Sequence, residues 1–274
     1  MKEMSYELLD LMDQYGEDEE GISRILETET EPWVLLALSP LRENLVEWLP
    51  VSPADRVLEL GAGYGALTGA LARKAGEVVV LDHREENLEV SRRRWRQMKN
   101  IRWEKETDGG FDWVMLVGPK TRAARLGIPA HGVSWNQREK EKADLKEQIN
   151  QGASWLKAGG RLVLSLPNRE GIKYWAGAEL EEEEMSLTWG ELKELFASMG
   201  GKTAYYYPLP DYKMPTAIYS DQYLPAEGEI PSLYAEYEKP RYRLFSEEAA
   251  YGAICQAGGF PQFANSFLVI WEKV

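Results

Sequence analysis

Apolar positions change their spacing along the chain, and each change marks a different kind of element. Over residues 1–50 they recur at helical intervals: SYELLDLMDQY is amphipathic, GISRILETE follows an acidic break, and PWVLLALSPLRENLVEWLP resumes the pattern. This segment is expected to be a helical cover. From Arg56 short apolar runs alternate with amphipathic ones: RVLELG precedes GALTGALARKA, and EVVVLD precedes a charged helix from Arg84 to Met98. IRWEKE and FDWVMLVG follow as strands, then the helix DLKEQINQGASWL, a glycine turn and the strand RLVLSLPN. The helix TWGELKELFASMG leads into TAYYYPL, and NSFLVIWEKV closes the chain. Such alternation predicts a parallel α/β sheet flanked by helices over residues 51–274. Residues 208–262, rich in tyrosine and proline, are too many for a hairpin turn and read as a lid or small subdomain.

The turn after the first strand carries the chemistry. It reads Glu59, Leu60, Gly61, Ala62, Gly63, Tyr64, Gly65. Glycines at alternate positions allow a sharp bend and a close approach of bare backbone to a ligand, while the following helix offers free amides. Alone the motif is ambiguous, because Gly61, Gly63 and Ala66 also satisfy the dinucleotide fingerprint, with Asp82 placed to hold a ribose. A nicotinamide or flavin enzyme therefore stands as an alternative. Glu59 weighs against it: a carboxylate there repels a pyrophosphate but attracts the amino group of a methionine. The ligand this favours is S-adenosylmethionine (SAM). The run LKAGGRLVLS from Leu156 resembles the turn before the fifth strand of class I methyltransferases, and the chain's ending resembles their closing antiparallel pair. The expected fold is accordingly Rossmann-like, a mostly parallel seven-stranded sheet with an antiparallel C-terminal strand. Gly61 to Gly65, including Ala62 and Tyr64, should line the methionine and ribose, with Glu59 supporting the amino group. Asp82 should accept the ribose hydroxyls. His83 is placed for the adenine, Glu106 or Thr107 for its amine, and Val117 and Gly118 complete the pocket from the fourth strand.

Composition narrows the partners. A net charge of -13 and a pI near 4.9 disfavour nucleic acid. No apolar run is long enough for a membrane span, and the acidic start lacks a secretion signal, so a cytoplasmic protein is expected. Cys255 stands alone and the histidines are two, which leaves neither an intrachain disulfide nor an expected metal site. The cluster Arg92, Arg93, Arg94 and Arg96 around Trp95 reads as an exposed helix face or a phosphate site, and Glu179 to Glu184 as a solvated loop or helix start.

Several runs carry a closer resemblance: LSPLRENLVEWLP, VLELGAGYGALTGALARKAGEVVVLD, LPNREGIKYWAGA and, most specific, PLPDYKMPTAIYSDQYLP. From about residue 30 the chain resembles a group of bacterial methyltransferases associated with glycosyltransferases in surface-polysaccharide biosynthesis. That resemblance implies methyl transfer to a saccharide or a polysaccharide precursor, with S-adenosylhomocysteine (SAH) as product and a glycosyltransferase as partner. Two segments depart from the group. Gly118 is followed by Pro119, Lys120 and Thr121 where an acidic, aromatic run is usual, and Glu179 to Glu184 replace a segment containing histidine. A non-catalytic SAM- or SAH-binding module is the alternative these departures raise. For the reaction itself, Asn168, Arg169, Tyr174 and Asp211 are candidates to align the acceptor and His131 to act as base. The tyrosines of the insertion suit sugar rings, and the same composition also forms a homodimer surface or packs a lid against the core, which together are the commoner use.

Overall fold

The computed structural model describes residues 2–125, 135–231 and 241–274. Three helices, α1 (Lys2–Tyr15), α2 (Glu19–Thr28) and α3 (Pro32–Leu38), and a 3-10 turn at Pro40–Leu45 precede β1 (Arg56–Leu60). Then come α4 (Thr68–Lys74), β2 (Glu77–Leu81), α5 (Glu85–Arg94), β3 (Ile101–Glu104) and β4 (Phe111–Val117). The middle of the chain holds α6 (Arg122–Arg125), α7 (Trp135–Trp155), β5 (Leu156–Pro167), α8 (Ile172–Trp175) and α9 (Trp189–Ala197). It ends with β6 (Lys202–Leu209), β7 (Ala217–Ser220), α10 (Glu247–Gln256), α11 (Phe260–Phe263) and β8 (Ser266–Glu272).

Among the described residues all strands join one sheet in the order β3-β2-β1-β4-β5-β8-β6-β7. Strands β1 to β5 pair in parallel, and β8 lies antiparallel between β5 and β6. The sheet thus has the predicted form with one strand more than the seven expected. The eighth is β7, antiparallel on the outer edge of β6. Its four residues are exposed or half-buried, so no buried apolar alternation marks them in the sequence. Central strands read as unbroken apolar runs because both of their faces are covered. On one face Leu162 and Leu164 of β5 pack with Leu145 and Ile149 of α7 and Phe196 of α9. On the other, Val78 and Val80 of β2 and Val163 of β5 pack with Leu71 of α4 and with Leu45 and Leu49.

Residues before Ser39 form a separate cluster in which Leu8, Met12, Ile25 and Leu38 meet Val90 of α5. The arginine run is the ground on which this cover stands. Arg93 and Arg96 pair with Glu17, and Arg93 also with Asp13, both acids from the α1 end of the chain. Arg94 is buried and donates to the Ala37 and Leu38 carbonyls at 3.1 and 2.9 Å. Arg92 pairs with Glu85 at 2.5 Å. The patch is therefore occupied within the chain rather than presented as a phosphate site. Among the described residues no helix is long and apolar enough to cross a membrane.

Candidate functional site

Strand order reverses between β1 and β4, and in an open α/β sheet such a reversal opens a crevice at the carboxyl ends. A cavity of about 650 Å³ occupies this crevice, walled by the ends of β1, β2 and β4 and by α7. Gly61 and Gly63 line it in the left-handed region, at φ +67° and +55°, and a Cβ on either would meet nothing within 4 Å. Their backbone is thus bare toward the open space. Gly65 shares the left-handed conformation but faces the protein: a Cβ there would lie 2.5 Å from Ser91 Oγ. The loop is held from beneath, since Trp95 Nε1 donates to the Gly65 carbonyl at 2.7 Å and Gly61 N donates to Leu81 O at 2.8 Å.

Asp82 lines the same end of the cavity. Its Oδ2 accepts from Gly63 N and its Oδ1 from Arg84 N, both at 2.9 Å. Each carboxylate oxygen has a second lone pair, so both can still accept a hydroxyl. His83 lies beside it, with Nδ1 3.5 Å from Asp82 Oδ1. Burial holds the imidazole below its usual range, Asp82 opposing and Arg84 and Arg125 adding to the effect. Glu59 sits under the loop rather than in the wall, 4% exposed, and accepts from Thr68 Oγ1 at 2.7 Å. Burial pushes its carboxyl up to about 7, against the opposing pull of the Thr68 hydroxyl and of Arg42 and Arg94. A carboxyl held there changes charge near neutral pH.

No family model matches the chain. Among solved structures it is similar to a chain of the complex between the Haloferax volcanii Trm112 methyltransferase activator and a methyltransferase, with TM-score 0.51 and 16% identity over 85% of this chain and 88% of that one. It is also similar to Haemonchus contortus phosphoethanolamine N-methyltransferase 1 in complex with phosphoethanolamine and SAH, with TM-score 0.51 and 14% identity over 92% of this chain and 47% of that one. The chain has the class I methyltransferase fold.

In sequence, the curated relatives include the rRNA adenine N-6-methyltransferase of Bacillus licheniformis, 39% identical over 62 residues, 23% of this chain and 22% of the relative. Phosphoethanolamine N-methyltransferase 1 of Arabidopsis thaliana is 34% identical over 82 residues, 27% of this chain and 17% of the relative. The chain spans about a fifth of the length of these relatives.

Within the class I fold, the remaining sequence candidates divide by position. Val117 and Gly118 line the cavity where β4 ends. Ala62 packs into the core, and Tyr64 packs against the N-terminal cover, its hydroxyl bonded to Ser5. Glu106 and Thr107 lie off the wall: β3 ends at Glu104, so Lys105 is the residue that reaches the cavity, while Thr107 Oγ1 accepts from Gly109 N at 3.4 Å inside the turn. His131 lies outside the described residues.

None of Asn168, Arg169, Tyr174 and Asp211 lines the cavity. Asn168 is fully buried; its Nδ2 donates to the Gln262 and Ala264 carbonyls at 2.7 and 2.6 Å and its Oδ1 accepts from Glu170 N. Its amide ties the end of the insertion to the fifth strand. Asp211, also buried, accepts from Lys173 Nζ at 2.6 Å and from Lys213 N at 2.8 Å. Tyr174 lies under Lys173 Nζ, 5.0 Å from its ring centre. Arg169 pairs its backbone with Leu187, and burial lowers its guanidinium with help from Arg138. Arg122 and Arg125, absent from the residues expected from the sequence, line the cavity with Lys120 of the departing segment and with Gln148 and Gln151 of α7. The signal was available in KTRAAR, a basic run directly after a predicted strand in an acidic chain.

The two segments that depart from the resemblance meet each other. Lys120 and Glu184 form an antiparallel bridge, and Lys120 Nζ lies 3.1 Å from Glu184 Oε1. Lys213 Nζ approaches the same carboxylate at 3.3 Å, and Tyr212 also bonds to it. Glu184, with a side chain 7% exposed, is thus no solvated loop acid. Burial acts to raise its carboxyl, but the Lys213 and Lys120 ammonium groups win and hold it at about 2. Its contribution to stability is present above pH 4.5 and is lost as pH falls toward 2. Lys213→Met is expected to cost about 3 kcal/mol in urea denaturation, because it strips a buried carboxylate of one of its two cations. A cost below about 1 kcal/mol would show that the cluster contributes little.

Proposed function

We propose that the chain is a SAM-dependent methyltransferase that releases SAH, and that its acceptor is a hydroxyl of a saccharide or polysaccharide precursor. The observation that carries the cofactor is the convergence of bare Gly61 and Gly63 backbone with Asp82 at one end of a cavity at the strand-order switch. In this reading Gly61 and Gly63 border the methionine and ribose, Asp82 takes the ribose hydroxyls, and Glu59 draws the amino group from under the loop. His83 and Lys105 flank the adenine, and Val117 and Gly118 stand opposite the sulfur. Buried Glu59 beneath the loop makes the same place unfavourable for a diphosphate.

When bound, SAM supplies a methyl group on a sulfonium that is already activated for displacement. The protein's task is then to align an acceptor lone pair behind that methyl and to exclude water. Gln148 and Gln151, on the α7 wall, offer amide groups to sugar hydroxyls. The saccharide acceptor and a glycosyltransferase partner rest on the sequence resemblance. Incubation with methyl-labelled SAM and glycan precursors tests the reading, the expected result being label in the saccharide. Binding of SAH with no transfer to any saccharide would leave a cofactor-binding module in place of an O-methyltransferase.

A further inference from the structure

Beyond the end of β4, one short segment places Lys120, Arg122 and Arg125 on the cavity wall, and Lys105 joins them from the end of β3. In a chain of net charge -13 this concentration of cations is not a background property of the surface. The acids nearby do not cancel it evenly. Asp144 is committed to Arg125, whose Nη2 lies 2.7 and 3.0 Å from its two oxygens. Glu184 stands behind the wall against Lys120 and Lys213. Asp82, at the glycine end, holds the Gly63 and Arg84 amides, and Glu147 lines the wall as an exposed residue of α7. Among the described residues, Arg122 and Lys105 make no ion pair.

The segment is also rigidly set. Thr121 is buried, its N donates to Glu183 O at 2.8 Å, and its Oγ1 accepts from Ala124 N at 3.2 Å. Arg125 donates to the Lys120 carbonyl at 3.3 Å as well as to Asp144. Among the described residues Arg122 is thus an exposed guanidinium without an ion pair, on a pinned backbone that is also tied to the β2 end of the cavity, where Arg84 Nη2 donates to the Ala124 carbonyl at 2.9 Å.

We propose that this β4 end holds an anionic group, phosphate or carboxylate, carried by the acceptor, with Arg122 as the main contact and Lys120 beside it. A guanidinium presents two parallel N–H donors to such a group, which fixes orientation as well as attraction. The inference rests on the SAM reading, which assigns no part of the cofactor to Lys120 or Arg122.

Calorimetry on SAH-loaded protein tests it with three probes: glucose 1-phosphate, glucuronate and glucose. SAH is titrated first in every sample, so loss of the cofactor reading shows as absent SAH binding before any sugar is added. One or both anionic sugars are expected to bind roughly tenfold or more tightly than glucose, with affinity falling as ionic strength rises. The two anionic arms tell phosphate from carboxylate. Arg122→Glu is expected to abolish that preference, and Arg122→Lys to retain part of it. Glucose binding as well as both anions, no binding of either anion to SAH-loaded protein, or an unchanged preference in Arg122→Glu would overturn the proposal.

Discussion

Glu59→Gln is expected to raise the melting temperature of the ligand-free protein while weakening its affinity for SAM. Burial raises the Glu59 carboxyl from 4.5 to about 7, so between those pH values the folded chain binds a proton that the unfolded chain has released. Wild-type stability therefore falls as pH rises through this window and levels off above it. The loss is at most on the order of 3 kcal/mol, each pKa unit being worth about 1.4 kcal/mol. Glutamine is neutral throughout and keeps an acceptor for Thr68, so the variant escapes the loss. Melting curves across pH should show little difference near pH 4.5 and a gain of about 5 °C or more above pH 8. The same carboxylate, once ionised, attracts the cofactor's amino group. Wild-type affinity for SAM should tighten as pH rises through 7, whereas the variant's should be about tenfold weaker at pH 8 and nearly flat. A lower melting temperature at pH 8, or an unaltered pH profile of binding, would contradict this role for Glu59.

Asp82→Ala should move both quantities in the damaging direction. The two amides that Asp82 accepts, from Gly63 and Arg84, lose a partner at a side chain only 3% exposed. An unsatisfied buried donor costs roughly 1–3 kcal/mol, so the melting temperature should fall. Each ribose hydroxyl bonded to a charged acceptor contributes about 1.5–3 kcal/mol, and loss of two predicts an SAH affinity lower by about a hundredfold or more. Calorimetric affinity within about threefold of wild type would remove Asp82 from the cofactor site. The opposite stability responses of the two acid variants separate a carboxylate strained by burial from one engaged by backbone amides.

What the sequence revealed and what it concealed follow from the range of the interactions involved. The glycine turn and Asp82 were legible because a tight strand-to-helix bend leaves a local signature, and alternation of apolar runs set out the sheet. Asn168 and Asp211 have side chains suited to aligning an acceptor, yet both are consumed by contacts to residues distant in the chain, Ala264 and Lys173. No local pattern announces such a contact. Glu184 reads as solvated because its sequence neighbours are acidic; its partners Lys120 and Lys213 follow β4 and β6, far from it in the chain. The arginines of α5 read as an exposed helix face or a phosphate site, whereas Asp13 and Glu17 of the same chain pair with Arg93. Strand β7 escaped notice because an exposed edge has no buried face to impose alternation.

Titration of the unmodified protein with SAH at pH 8, followed by NAD under the same conditions, tests the central assignment most directly. Saturable binding of one SAH per chain with no measurable NAD heat is the predicted result. Heat from NAD alone would contradict it and return the glycine loop to the dinucleotide-binding alternative.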